Sequence, residues 1–124
     1  MSNAPTMLMG LVPLIRATVR SAATGNLTTT VTPDDSGTMF ISLTTGTHAY
    51  TLPAVADAAG KHFIFFDGET TQSITVTSPA NDIMGNNTTA DVATSNADLG
   101  DCLMVFSDGT NYFKFVLAGT WTVA

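Results

Sequence analysis

The run His62 to Phe66 reads His-Phe-Ile-Phe-Phe and restricts the fold more than any other stretch. In a strand, successive side chains point to opposite faces, so Phe63 and Phe65 share one side while Ile64 and Phe66 share the other. Both sides are therefore apolar. Such a strand belongs in the middle of a sandwich or at a subunit interface. The residues before it set up its entry. His48 to Leu52 reads as a strand that Pro53 ends. Ala54, Ala56, Ala58 and Ala59 favour helix, Pro53 suits a first helical position and Gly60 suits a C-terminal cap. This spacing predicts one short helix of one or two turns over Pro53 to Gly60.

The rest of the chain reads as short strands between turn signals. Leu27 to Thr32, Met39 to Leu43, Ser73 to Thr77, Cys102 to Ser107, Tyr112 to Leu117 and Trp121 to Val123 carry the strand-like residues. Pro33 to Gly37, Asp67 to Gln72 and Ser78 to Asp82 are breaker clusters. Thr44 to Thr47 reads as a turn joining Met39–Leu43 and His48–Leu52 into a hairpin. Asp108-Gly109 predicts a second hairpin with a type I′ turn. Asn86 to Asp98 reads as a long polar loop with at most one edge strand. No internal repeat of fixed period is read. These features give an all-β sandwich or barrel with one short helix. Residues 1–25 are set apart as an N-terminal arm or extension, and residues 26–124 form the β-domain.

Charged side chains make up only 11% of the 124 residues, so Thr, Ser, Asn and Gly must cover much of the surface. The net charge is −6 with four Lys and Arg, which argues against direct binding to nucleic-acid phosphates. Cys102 is the lone cysteine, lies in an apolar run and reads as a buried hydrophobe rather than a nucleophile. The apolar run Met7 to Ile15 is too short to span a bilayer. Arg16 and Arg20 follow it, whereas a secretory signal carries its positive charge first. No membrane association is expected. An exposed run of this kind is a liability unless it is covered. It is either a first strand packed on the core or an arm that docks on another subunit or protein. The candidate contact residues are Met7, Leu8, Met9, Leu11, Val12, Leu14, Ile15, Arg16 and Arg20.

No group of residues has the pattern of a catalytic or cofactor site. His48 and His62 are the only histidines, too few for a zinc site without carboxylates supplied by the fold. Asp34, Asp35, Asp98 and Asp101 are candidate oxygen ligands for calcium, but turn chemistry already explains Asp at such positions. Asp67 and Glu69 are the one carboxylate pair to weigh for glycoside hydrolysis. Tyr50, Tyr112 and Trp121 are candidates for a sugar-binding face, against packing in a core. No cofactor is expected.

The order of several short pieces resembles small β-structured virion proteins of tailed bacteriophages. The pieces are Gly37-Thr38-Met39-Phe40, Tyr50-Thr51-Leu52-Pro53, Ala59 to Phe65, Ser73 to Val76, Asp82 to Gly85, Ser107 to Tyr112 and Gly119-Thr120-Trp121. Head decoration (cement) proteins and tail-fibre segments are the relevant members. The resemblance implies a jelly-roll-like β-domain assembled as a homotrimer, without enzyme activity. It also implies a place on the capsid exterior after assembly in the host cytoplasm, with the major capsid protein as partner. A tail-fibre or receptor-binding module that contacts a host glycan is the alternative, and a glycan-active enzyme is a third reading. The N-terminal run lies outside the resembling pieces and is the expected point of attachment.

Overall fold

The computed structural model describes residues 14–69, 71–85 and 88–124. Met7, Leu8, Met9, Leu11 and Val12 of the expected contact set lie outside these residues. Among the described residues the fold is two packed β-sheets with two short 3₁₀ turns, Pro33–Asp35 and Val55–Ala58. The second of these replaces the expected α-helical turns. Its four residues are closed by the Asp57 N–H donating to the Ala54 carbonyl at 2.9 Å and the Lys61 N–H to that of Ala58 at 2.8 Å.

The first six strands alternate between the sheets. They are β1 (Ala17–Ser21), β2 (Leu27–Thr30), β3 (Thr38–Ser42), β4 (His48–Thr51), β5 (His62–Asp67) and β6 (Ile74–Thr77). The odd strands pair in parallel in one sheet, and the even strands pair in parallel in the other. Each odd–even pair is thus one coil, and three coils stack as in a solenoid. The chain then returns through β7 (Ile83–Gly85), β8 (Thr88–Ala90), β9 (Val92–Ser95), β10 (Cys102–Ser107), β11 (Tyr112–Ala118) and β12 (Trp121–Val123). The seven-stranded sheet has the order β1-β3-β5-β10-β11-β7-β8, and the five-stranded sheet β12-β9-β6-β4-β2. β10 and β9 close the coil stack by pairing antiparallel with β5 and β6.

Several expectations change here. The all-β sandwich stands, but parallel coil stacking takes the place of the jelly roll, whose neighbours are antiparallel. The hairpin between Met39–Leu43 and His48–Leu52 does not form, because β3 and β4 lie in different sheets. The intervening corner stacks on the corner of the coil before it. Thr45 and Gly46 donate their N–H groups to the carbonyls of Ala23 and Gly25, and Thr47 donates to the Asn26 side chain. A Cβ on Gly46 would lie 2.4 Å from the Gly25 carbonyl carbon, so only glycine allows this approach. The first two coils correspond locally, although no fixed period runs through the chain. Ser21, Thr24 and Gly25 recur as Ser42, Thr45 and Gly46, 21 residues on, matching the offset of β1 on β3 and of β2 on β4. The expected loop Asn86 to Asp98 contains the edge strand β8, and also β9, an interior strand whose small Ala93 is fully buried. The Asp108-Gly109 hairpin does form, but as a four-residue loop between paired Ser107 and Tyr112. Only Gly109 has positive φ there, at 93°. Asp108 keeps negative φ because its carboxylate accepts the Thr110 and Asn111 N–H groups at 2.9 and 2.8 Å.

The core fills the space between the sheets. Phe40, Phe65, Leu103 and Val105 point inward from the large sheet, and Tyr50, Ile74, Val76 and Ala93 from the small one. Phe65 stacks on Phe40 at 5.5 Å and meets Tyr50 at 4.9 Å between ring centres. Burial of a Phe-sized side chain is worth about 1.5–3 kcal/mol. The position of residue 25, expected to bound the arm, falls between β1 and β2. β1 is a full strand of the large sheet.

Candidate functional site

The pairing of the large sheet determines which side chains face away from the core. Because Phe63 and Phe65 are core residues, Ile64 and Phe66 face outward. The strand register then builds three rows on that outer face. The first runs Thr18, Met39, Ile64, Met104, Phe115. The second runs Arg20, Ile41, Phe66, Cys102, Ala118. The third runs His62, Phe106, Phe113, Met84, Thr89. The rows are mostly apolar, and no carboxylate occurs in them although the chain has ten. Ile64 is fully buried yet stands outside the core cluster. Met39 and Met104, on the two flanking strands, are its row neighbours. Phe115 is 48% exposed and Met84 37%. Leu117, at the irregularity in the β10–β11 register, adds a further exposed apolar side chain.

The outer face of the small sheet is different. Its rows are Thr28, Ala49, Thr75, Thr94, Thr122 and Thr30, Thr51, Thr77, Val92. Hydroxyls and methyls of this kind suit a solvated strand surface. The two outer faces are therefore chemically distinct.

A cleft of about 420 Å³ lies at the margin of the apolar face, lined by Leu14, Arg16, Asp34, Ser36, Lys61 and His62 among others. Arg16 donates from Nε to the Ser36 carbonyl at 3.0 Å and from its terminal nitrogen to the Asp34 carbonyl at 2.9 Å. Its guanidinium is thus partly committed to the turn beneath it. His62 Nε2 lies 2.9 Å from the Leu14 carbonyl. Leu14, Ile15, Arg16 and Arg20 of the expected contact set accordingly sit at or near the edge of this face. Leu14, Arg16 and Arg20 are exposed, and Ile15 is half-buried.

The other sequence candidates are accounted for by structure. His48 is fully buried between hydroxyls: Nδ1 is 2.9 Å from Ser42 Oγ, and Nε2 is 2.7 Å from Thr29 Oγ1. Burial pulls its pKa down to about 4. It therefore stays neutral near pH 7, and both ring nitrogens already have partners. His62 sits at the sheet's outer margin, so the two histidines share no site. Asp67 is buried in register with Ser42 on the neighbouring strand. Burial pushes its carboxyl up to about 6, with the nearby Asp101 adding to the rise and the Glu69 N–H opposing it. Asp67 Oδ1 accepts that N–H at 3.0 Å, and Ser95 approaches Oδ2 at 3.4 Å. Asp67 and Glu69 are thus joined in a turn, and the Asp67 carboxylate is buried.

Asp98 and Asp101 meet in one turn, where Asp101 Oδ2 accepts the N–H groups of Asn96 and Asp98. Asp35 accepts the Thr32 N–H at 2.8 Å in another. Among the described residues no three His, Cys, Asp or Glu come together as metal ligands. Tyr50, Tyr112 and Trp121 are all buried, so none forms an exposed sugar platform. Tyr112 donates its hydroxyl to the Pro53 carbonyl at 2.6 Å, tying the return strands to the Pro53 corner. The Tyr50 hydroxyl and Trp121 Nε1 are buried without a partner among the described residues. Burial pushes the Cys102 thiol up to about 11, far from a thiolate nucleophile at neutral pH.

Sequence reasoning found the two-sided apolarity of His62–Phe66 but missed Met39, Ile41, Met104, Phe106 and Phe113 as one surface. Comparison with protein-family models, curated proteins and solved structures found no match in any of the three.

Proposed function

We propose that this chain is a structural protein of a bacteriophage virion, a capsid decoration protein that binds and stabilises the head shell in many copies. The observation that carries the reading is the apolar, carboxylate-free outer face of the large sheet. A face of this kind fits a protein that works by contact, since contiguous exposed apolar surface marks interaction sites. The resemblance in the order of sequence pieces supplies the virion setting.

In this reading the chain assembles as a homotrimer on the capsid exterior, with the major capsid protein as its partner. Attachment runs through Met7, Leu8, Met9, Leu11, Val12, Leu14 and Ile15, with Arg16 and Arg20 offering positive charge to an acidic shell surface. Many copies give avidity from modest individual contacts. No catalytic step and no cofactor enter the reading. The alternative of a glycan-contacting tail-fibre module has less support, because its proposed aromatic platform is buried.

The test is rebinding to purified heads. Full-length protein is expected to saturate shells stripped of it, and a chain lacking residues 1–13 to leave them bare. The cut stops there so that β1 is kept. Unchanged occupancy by the shortened chain would remove the attachment role. Recovery of the protein only with purified tails would overturn the decoration reading.

A further inference from the structure

We infer that the cleft between Arg16 and His62 binds a small phosphate monoester. The inference goes beyond the proposed function and does not rest on it.

The cleft follows from strand register. The Arg16 N–H donates to the Gly37 carbonyl at 2.7 Å, and the Gly37 N–H to the His62 carbonyl at 2.8 Å. Arg16, Gly37 and His62 therefore form a row across the entries to β1, β3 and β5, one same-face step before Thr18, Met39 and Ile64. Neighbouring strands lie about 4.8 Å apart, so the Arg16 and His62 backbones stand about 10 Å from each other with only glycine between them. Gly37 keeps that gap open. A Cβ there would lie 3.0 Å from the Arg16 Cβ, and its φ of +83° already disfavours any other residue. The resulting volume of about 420 Å³ is in the range of small-molecule sites.

The lining selects an anion. The chain has a net charge of −6 and four Lys and Arg, yet two of those four, Arg16 and Lys61, line this one cleft. The Arg16 bonds go to the main-chain carbonyls of Ser36 and Asp34, which fix the guanidinium without neutralising it and leave it further N–H groups to donate. Ser36 Oγ accepts the His62 N–H at 3.2 Å, so its own O–H is available as a donor. The Leu14 carbonyl can only accept, so His62 Nε2 carries the proton between them, and a second proton on Nδ1 would make the ring a further cation. Asp34 is the one carboxylate on the lining, and it is exposed. Residues 1–13 contain no Asp or Glu, so the chain's own N-terminal segment has no acidic side chain to offer this site.

The fixed charges favour a dianion. A phosphate monoester carries about −1.5 to −2 near pH 7 and presents more acceptor oxygens than a carboxylate, which carries a single charge. Leu14 and Pro33 add apolar wall against which the organic group of a monoester can pack.

The experiment is titration of the full-length protein with phenyl phosphate, inorganic phosphate or benzoate at fixed pH and ionic strength, read from the imidazole signals of His62 and His48 by nuclear magnetic resonance. Phenyl phosphate is expected to shift His62 saturably with a Kd of about 1 mM or tighter. His48, buried between Ser42 and Thr29, should not move. Inorganic phosphate and benzoate should each bind at least about fivefold more weakly, the first for want of the apolar group and the second for want of charge. Lys61→Gln is expected to weaken phenyl phosphate binding about tenfold. Lys114→Gln removes the same charge from β11 and should change it by less than about twofold. Asp34→Asn, which takes away the only opposing charge on the lining, should tighten it about threefold. Absence of a saturable His62 shift overturns the inference, as does an affinity that Lys61→Gln leaves unchanged. Benzoate or inorganic phosphate binding as tightly as phenyl phosphate overturns the assignment to a monoester. Phosphate binding by a protein that does not occupy heads leaves the cleft standing and removes only the decoration reading.

Discussion

The two outer faces of this sandwich are built from the same kind of strand and end in opposite chemistry. On the small sheet, adjacent strands line up threonines: Thr75 beside Thr94 beside Thr122. On the large sheet, the matching rows line up Met39, Ile64, Met104 and Phe115. Both faces lie over one shared core, so fold stability alone does not explain the difference. The threonine face is finished as a solvated surface. The methionine and phenylalanine face is apolar, with Ile64 buried at its centre and Phe115 and Met84 exposed.

The largest expected effect separates inner from outer positions of the large sheet. Phe65 is fully buried between Phe40 and Tyr50, so Phe65→Ala should cost about 3–5 kcal/mol. Phe115→Ala, 48% exposed on the outer side, should change the stability of the isolated chain by no more than about 0.5 kcal/mol. Denaturant unfolding at a concentration where the chain is dispersed measures both. Similar losses would mean that Phe115 is already packed within one copy.

Exchanging the chemistry of the two faces gives the next effect. Ile64→Thr places a hydroxyl in the apolar row and should cost about 2 kcal/mol, while Thr75→Val should stay within about 0.5 kcal/mol. Thermal melts of the two variants test this. A costly Thr75→Val would show that the threonine face is doing more than meeting solvent.

The registers of both faces depend on how tightly the coils stack at their corners. Gly46→Ala pushes a Cβ into the backbone of Gly25 and Asn26 and should cost about 3 kcal/mol. Gly25, the equivalent residue one coil earlier, has no atom within 4 Å of such a Cβ. Its φ of +89° alone makes Gly25→Ala cost about 1 kcal/mol. Equal losses at the two glycines would contradict the stacking of one corner on the other.

These losses also show what was legible in the sequence. The individual strands were readable because alternation is a local property: Ile74 and Val76, Phe63 and Phe65, Leu103 and Val105 point where their spacing says. The stacking was harder to read because a corner, not a strand, decides which sheet the chain enters next. Ser21, Thr24, Gly25 and their counterparts Ser42, Thr45, Gly46 were the available signal. The third coil obscured it. The Val55–Ala58 turn lies between β4 and β5, and the offset grows to 25 residues for Met39 on Ile64 and 26 for His48 on Ile74. The candidate surface suffered in the same way. Its apolar character was visible in His62–Phe66, but its extent depends on which strands flank β5. Met104 and Phe106 come from far along the chain, and only the register sets them beside Ile64 and His62.

The smallest effect is a pH dependence that tests the buried His48 and Asp67. Burial pulls the His48 pKa down to about 4, so the unfolded chain binds a proton there between about pH 6.5 and 4 that the folded chain does not. Stability from this group falls as pH drops through that window. Burial raises Asp67 to about 6, so between about pH 4 and 6 the folded chain holds the extra proton, and stability falls as pH rises. The two slopes oppose each other, and the wild type should be nearly flat from pH 4 to 6. Asp67→Asn should leave a melting temperature that rises with pH across this range, and His48→Asn one that falls. Parallel profiles for the two variants would place the titrating groups elsewhere.

The account stands on strand register, because a slip of one residue would send the apolar rows inward and the core outward. The most direct measurement is the pattern of backbone nuclear Overhauser effects between strands. Parallel contacts between Leu27–Thr30 and His48–Thr51, with Thr28 opposite Ala49, are the predicted result. Antiparallel contacts between Thr38–Ser42 and His48–Thr51 would restore the hairpin, dissolve the coil stack and remove the basis for an apolar outer face.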